Sequence, residues 1–322
     1  MSIYEESSKV EFNPGSPEVL APLGQGSSTV TVELDENKGL GTLLIVISAI
    51  GFALMAIFAK FAYAAGLNIT TVLSWRFLIA AGVMWVLLLV KGENPRVTRS
   101  QLVSLLALGA LGYGVMSTCF FYAVKLIPAS MASILLYTYP IIVTLLSAWI
   151  YKEAITRKKL MALVISSVGL LLVVGVVFQG LNGQGVMFGA LAAVVYSLYI
   201  VTSNKLVSTV NPLVVTTYVI SSAAVVLTVT GLISGTITWQ LNGQGLLAIL
   251  AIAIISTVVA ILTFFQGMRL VGPSQASIIS TLEPVVTTMS AWALFGEKLS
   301  ISQVFGGILV LTAVLLVQGK ES

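Results

Sequence analysis

The sequence predicts an all-α membrane protein: ten transmembrane helices formed by two inverted five-helix repeats. Three observations predict it. Of 322 residues, 57% are hydrophobic and only 9% are charged, where a soluble domain carries about a quarter charged. Long apolar runs fill the chain, each close to the roughly 20 residues a helix needs to cross the bilayer core. Residues 122–175 also align without gaps on 266–319, an offset of 266 − 122 = 144, which marks an internal repeat.

Along the chain, residues 1–38 are polar and hold seven of the twelve acids, with Pro14, Pro17 and Pro22 and a Gly/Ser stretch. Such a segment has little apolar surface to bury and reads as a disordered tail. It lacks the basic start and apolar stretch of a signal peptide. The pattern changes at Gly39. Ten spans are expected, at about 41–63, 69–90, 101–124, 129–150, 159–178, 185–205, 212–234, 245–268, 274–296 and 301–318. Helix is the form that satisfies backbone groups within a segment in lipid. The first repeat then covers 39–178 and the second 179–322.

Basic residues orient the spans. With a cytoplasmic amino terminus, twelve of the sixteen face inward, among them Lys91, Arg96, Arg99, Lys152, Arg157, Lys158 and Lys159. Lys125, Lys298 and Lys60 fall on the outer side, and Arg76 lies within span two. Basic loops stay cytoplasmic, so both termini are expected inside. Within the repeat, Leu126, Ser130, Ala132, Ser133, Ile134, Pro140, Thr144 and Glu153 match Leu270, Ser274, Ala276, Ser277, Ile278, Pro284, Thr288 and Glu297. Gly41 falls on Gly185 at the same offset. Five spans per repeat is odd, so the halves insert upside down relative to each other, the arrangement of many secondary transporters.

These residues also carry a family resemblance. Lys125-Leu126 through Ser133-Ile134, Tyr139-Pro140 and Lys152-Glu153 close one repeat, and Arg269-Leu270 through Ser277-Ile278, Leu282-Glu283-Pro284-Val285 and Phe295-Gly296-Glu297-Lys298-Leu299 close the other. With Lys60 late in span one and Arg76-Phe77 in span two, residues 39–319 resemble the drug/metabolite transporter superfamily, specifically its EamA-like family. The resemblance implies export or exchange of small metabolites, such as amino acids, or of drugs, across a bacterial inner membrane. Arg76 has no charged repeat mate, since the offset lands on Ile220.

Glu283 is the sharpest candidate residue. It lies nine residues after Ser274, near the middle of the core at about 1.5 Å per residue. A carboxylate there is costly and faces a cavity or a partner by default. Desolvation favours its neutral form, which suits a proton carrier, and Pro284 after it removes one backbone donor. The bland alternative is a static pair with Arg76. Arg76, about 10 Å from the outer end of span two, suits a substrate carboxylate, a pair with Glu283, or snorkelling to the headgroups. Lys60 reads first as a snorkelling residue and second as a gate. Tyr139, the repeat mate of Glu283, and Tyr196 are candidate cavity-lining aromatics, against a background of belts and core packing. Gln266 is a rarer polar group in span eight. The repeated Asn-Gly-Gln-Gly at 182–185 and 242–245 lacks the Lys-Ser/Thr of a phosphate loop and reads as turns. Gly109, Gly112, Gly114 and Gly306-Gly307 read as close-packing positions.

Composition removes whole classes of chemistry. The chain has no histidine, one cysteine (Cys119) and one aspartate (Asp35), so neither a Ser-His-Asp site nor a Cys/His zinc site can be built. The expected function is a secondary transporter working by alternating access in the cell membrane, with no catalytic residues, metal or cofactor. Its partners are a small-molecule substrate and the lipid bilayer. A net charge of +4 with no basic polar face points away from nucleic acid, and a homodimer is compatible with such a chain. The rival readings are an intramembrane enzyme and a non-transporting sensor.

Overall fold

The computed structural model describes residues 26–127, 129–175, 182–296 and 298–318. The chain divides into two compact units, 1–36 and 37–322. The described part of the first unit is helical: α1 runs Gly26–Ala64, so residues 26–38 depart from the expected disorder. Once a helix has nucleated on an apolar span, each further residue adds one backbone bond without repeating the nucleation cost. Residues 1–25 lie outside the described residues.

The remaining helices are α2 (Ile69–Val90), α3 (Arg99–Ala107), α4 (Val115–Leu126), α5 (Ala129–Leu136), α6 (Tyr139–Tyr151), α7 (Arg157–Val174), α8 (Gly183–Val207), α9 (Pro212–Ile233), α10 (Gly243–Ala253), α11 (Ala260–Val271), α12 (Pro273–Ser280), α13 (Leu282–Phe295) and α14 (Ile301–Gln318). Short polar residues start them. Asn68, Thr98, Thr156, Asn182, Asn211 and Asn242 each cap an N-terminus by accepting from a backbone N–H two or three residues on. The repeated Asn-Gly-Gln-Gly motif is therefore a pair of helix caps.

Nine helices among the described residues are long and apolar enough to cross a membrane. The tenth expected span is α7, which opens on Arg157-Lys158-Lys159; its expected end, at 178, lies outside the described residues. Its place in the bundle is that of its repeat mate. α7 packs along α14, with Gly169 against the carbonyl of Gly306 and Gly306 against that of Gly169. An added Cβ would stand 2.7 Å and 2.5 Å from those oxygens.

Two irregularities recur at the repeat offset. Spans three and eight each contain a π-helical segment, Leu108–Gly114 between α3 and α4 and Ile254–Val259 between α10 and α11. Spans four and nine are each broken, between α5 and α6 at Tyr137-Thr138 and between α12 and α13 at Thr281. Pro140 and Pro284 sit just past the breaks, in first turns that can spare a backbone donor.

The halves exchange contacts. Gly41 packs on Leu270 and Val271, and its mate Gly185 packs on Leu126 and Ile127, the mates of those two residues. This reciprocity is a two-fold relation between repeats, as expected of the inverted arrangement.

Candidate functional site

Arg76 is placed by α2, whose N-cap at Asn68 sets the register of the first turn. Its side chain is buried, 3% exposed, which overturns the snorkelling alternative. The two π-helical segments explain why it stays inside. Arg76 Nε donates to Thr257 Oγ1 at 2.6 Å and Nη2 to the Tyr113 hydroxyl at 3.0 Å. Thr257 comes from one π segment and Tyr113 from the other. Thr257 in turn donates to the carbonyl of Ile252, five residues back, at 2.9 Å. Arg76 Nη1 points at Met55 Sδ, 2.8 Å away, and a thioether is a weak acceptor. The guanidinium lies over the rings of Phe77 and Tyr113, at 4.7 and 5.9 Å. It thus has two hydroxyl acceptors, a poor third, and five N–H groups to satisfy. The polar alternatives narrow as well: no Arg76–Glu283 ion pair is formed among the described residues.

Glu283 occupies the first turn of α13, immediately after the break in span nine. It is half-buried. Tyr137, at the break in span four, lies near its carboxylate. The helix start favours a carboxylate there, since the N-terminus of α13 carries partial positive charge. Thr287, one turn on, donates to the carbonyls of Glu283 and of Ala53 on α1, at 3.0 and 3.3 Å, which ties the start of α13 to the other repeat.

Between the two charges runs a series of aromatic rings. Phe77 and Tyr113 stand 5.2 Å apart, Tyr113 and Tyr199 6.2 Å, Tyr199 and Tyr196 5.9 Å, Tyr196 and Tyr139 4.7 Å, and Tyr139 and Tyr137 6.1 Å. Arg76 caps one end and Glu283 the other. Tyr139 is buried, 2% exposed, with its hydroxyl directed to the carbonyl of Ser277 at 3.5 Å, while Tyr196 and Tyr137 are half-buried. Tyr139 and Tyr196 meet edge to face within the run.

The other expected residues lie off this run. Gln266 is half-buried on α11, one residue from Phe265, whose ring is 6.1 Å from Tyr199. Lys60 is exposed and its Nζ stands 4.4 Å from the centre of the Phe295 ring. Phe295 is twelve residues along α13 from Glu283, about 18 Å by helical rise. Sequence reasoning passed over Thr257 and Met55. Tyr113, Tyr137 and Tyr199 are legible in the sequence as polar aromatics within spans, without the marks that single out Tyr139 and Tyr196.

On the face bearing the basic loops, Glu153 joins the halves. Its Oε1 accepts from Lys159 Nζ and its Oε2 from Ser274 Oγ, both at 2.8 Å. Ser274 opens α12, so a residue of the first repeat holds the broken span of the second.

Comparison with known proteins gives this geometry its context. The chain is 28% identical to the uncharacterized transporter YyaM of Bacillus subtilis, over 76% of this chain and 83% of that one. It is 28% identical to the uncharacterized transporter YcbK of the same organism, over 83% and 88%, and 24% identical to protein PecM of Dickeya dadantii, over 72% and 78%. A crystal structure of a protein 19% identical shares the fold, with a TM-score of 0.75 over 86% of this chain and 96% of that one. The model of the EamA-like transporter family matches twice, at 39–175 and 183–318. One match per repeat follows the two-fold relation seen in the packing, and the chain is a multi-pass membrane transporter that belongs to the EamA-like transporter family.

Proposed function

We propose that the protein is a secondary transporter, an exporter or exchanger, that moves small zwitterionic or amphipathic metabolites or drugs across the cell membrane by alternating access. The observation that carries this reading is the aromatic run with a buried guanidinium at one end and a carboxylate at the other. An amphipathic zwitterion has the complementary order: an anionic group for Arg76, an apolar body for the tyrosine faces, and a cationic group for Glu283. Cations are attracted to aromatic faces as well as to the carboxylate. Both charges are costly in a membrane unless they serve a partner, and the under-satisfied guanidinium leaves room for one.

The breaks beside Tyr137 and Glu283 supply the movable parts, since discontinuous helices form the sites of inverted-repeat transporters. Ser274 of one repeat donates to Glu153 of the other, a contact that rocking the halves would part. Glu283 takes in turn the cationic group and a proton, so that return of the empty carrier moves a proton the other way.

Flux into proteoliposomes tests this. Cells overproducing the protein are profiled for metabolites that accumulate outside, and the hits are assayed with purified protein. Glu283→Gln keeps shape and hydrogen bonding and removes titration. Uphill flux should fall at least about tenfold, and its pH dependence should flatten. Wild-type flux with an unchanged pH profile would overturn the role given to Glu283, and product formation without saturable flux would overturn transport itself.

A further inference from the structure

A concavity of about 570 Å³ is lined by none of the residues of the aromatic run. Its walls include Trp85 of α2, Leu106 of α3, Ala110 and Leu111 of the first π-helical segment, and Tyr218 and Val225 of α9. The polar groups in these walls are turned onto one another. Trp85 Nε1 donates to Ser221 Oγ at 3.0 Å, the Tyr218 hydroxyl to the carbonyl of Pro95 at 3.1 Å, and Ser222 Oγ to the carbonyl of Leu106 at 2.7 Å. What is left is apolar. Leu111 and Val225 stand at its rim, 64% and 62% exposed, within spans where exposed apolar side chains meet lipid tails.

The loop between α2 and α3 adjoins the groove at Tyr218. The bond from Tyr218 to Pro95 ties down the loop between α2 and α3. That stretch carries Lys91, Arg96 and Arg99, all exposed, against a single acid, Glu93. Trp85 lies six residues before Lys91, about 9 Å by helical rise, which is the step from a headgroup to the upper part of its tails. We propose that this groove holds one acyl chain of an anionic phospholipid, with the lipid phosphate on Arg96 and Arg99. Arginine's planar fork matches phosphate, and basic clusters at the membrane surface select anionic lipids.

The site has a consequence for the transporter. Ala110 and Leu111 share their π-helical segment with Tyr113, which accepts from Arg76. A chain seated in the groove packs on the segment that holds the guanidinium.

Native mass spectrometry of the purified full-length protein tests the assignment, with phosphatidylglycerol and phosphatidylcholine of identical chains added in turn. Phosphatidylglycerol should be retained about tenfold better. The double variant Arg96→Gln/Arg99→Gln should bring the two lipids within about twofold of each other. Val225→Trp, which fills the groove from an exposed position, should lower retention of both; Leu111→Trp reads the same quantity if that protein does not fold. Equal retention of both lipids by the wild type overturns the proposal. So does a preference that survives the double variant, retention that survives the filled groove, or displacement of the lipid by the transported solute.

Discussion

Arg76 shows how much one side chain asks of its surroundings. It is a cation deep in a membrane span, and its two hydroxyl partners come from two separate π-helical segments. A lysine at this position would bring one compact ammonium on a flexible stem in place of a planar fork. Its three donors would leave at most one for a ligand once Thr257 and Tyr113 were met, where the guanidinium has five. Arg76→Lys should therefore lower flux at least about tenfold while the protein still folds, which flux and detergent size-exclusion profiles would check together. Lys152 makes a different point. It has φ 54° and ends α6, and its repeat mate Gly296 has φ 66° and ends α13. Left-handed backbone costs an L-residue about 1–2 kcal/mol. Gly296→Ala should lower stability by about 1 kcal/mol and Lys152→Gly should be neutral or stabilising, read as midpoint shifts in thermal unfolding.

At the scale of elements, glycines decide how closely helices approach. Gly169 and Gly306 bring α7 and α14 into backbone contact, the small-residue packing that membrane helices rely on where lipid is as apolar as leucine. A leucine at either position has no room unless the backbones part. Gly306→Leu should cost several kcal/mol or prevent assembly, and Gly306→Ala about 1–3 kcal/mol. Gly82 on α2 has open space around it, so Gly82→Ala should leave the unfolding midpoint unchanged or raise it. Comparison of the three midpoints in one detergent separates close packing from a general sensitivity to glycine replacement. The breaks in spans four and nine belong to this scale too: they put Tyr137 and Glu283 at helix ends, where backbone groups and side chains are both available.

At the scale of the molecule, the two repeats trade contacts, α7 with α14, α2 with α9, and Gly41 and Gly185 with each other's partners. A two-fold built from five-span units places corresponding loops on opposite faces. The basic loops then predict orientation. Reporter fusions should place the loops at 91–98 and 152–156 in the cytoplasm and that at 234–242 outside. A cytoplasmic signal from a fusion at Gly235 would reverse the map.

The helical membrane fold, the repeat and the family were legible in the chain, because membrane insertion reads apolar length and an internal repeat reads itself; of the ten expected spans, nine among the described residues are long and apolar enough to cross, and α7, opening on three basic residues, is the exception. Glu283 and Arg76 stood out for the same reason: in lipid, any charge is an exception. Neighbours were not legible. That Arg76 would bind Thr257, Tyr113 and Met55 rather than Glu283 or the headgroups depends on π-helical turns, which carry no sequence signature comparable to an apolar run. The surroundings of Glu283 depend on where two breaks meet. By itself, then, the sequence determined what crosses the membrane and in which order, since that is set residue by residue by the cost of leaving water. Only the tertiary structure decided that the two charges stand at opposite ends of one run of aromatic rings, because that follows from how five distant helices pack, and packing in lipid is settled by local shape and by the hydrogen bonds each side chain can reach.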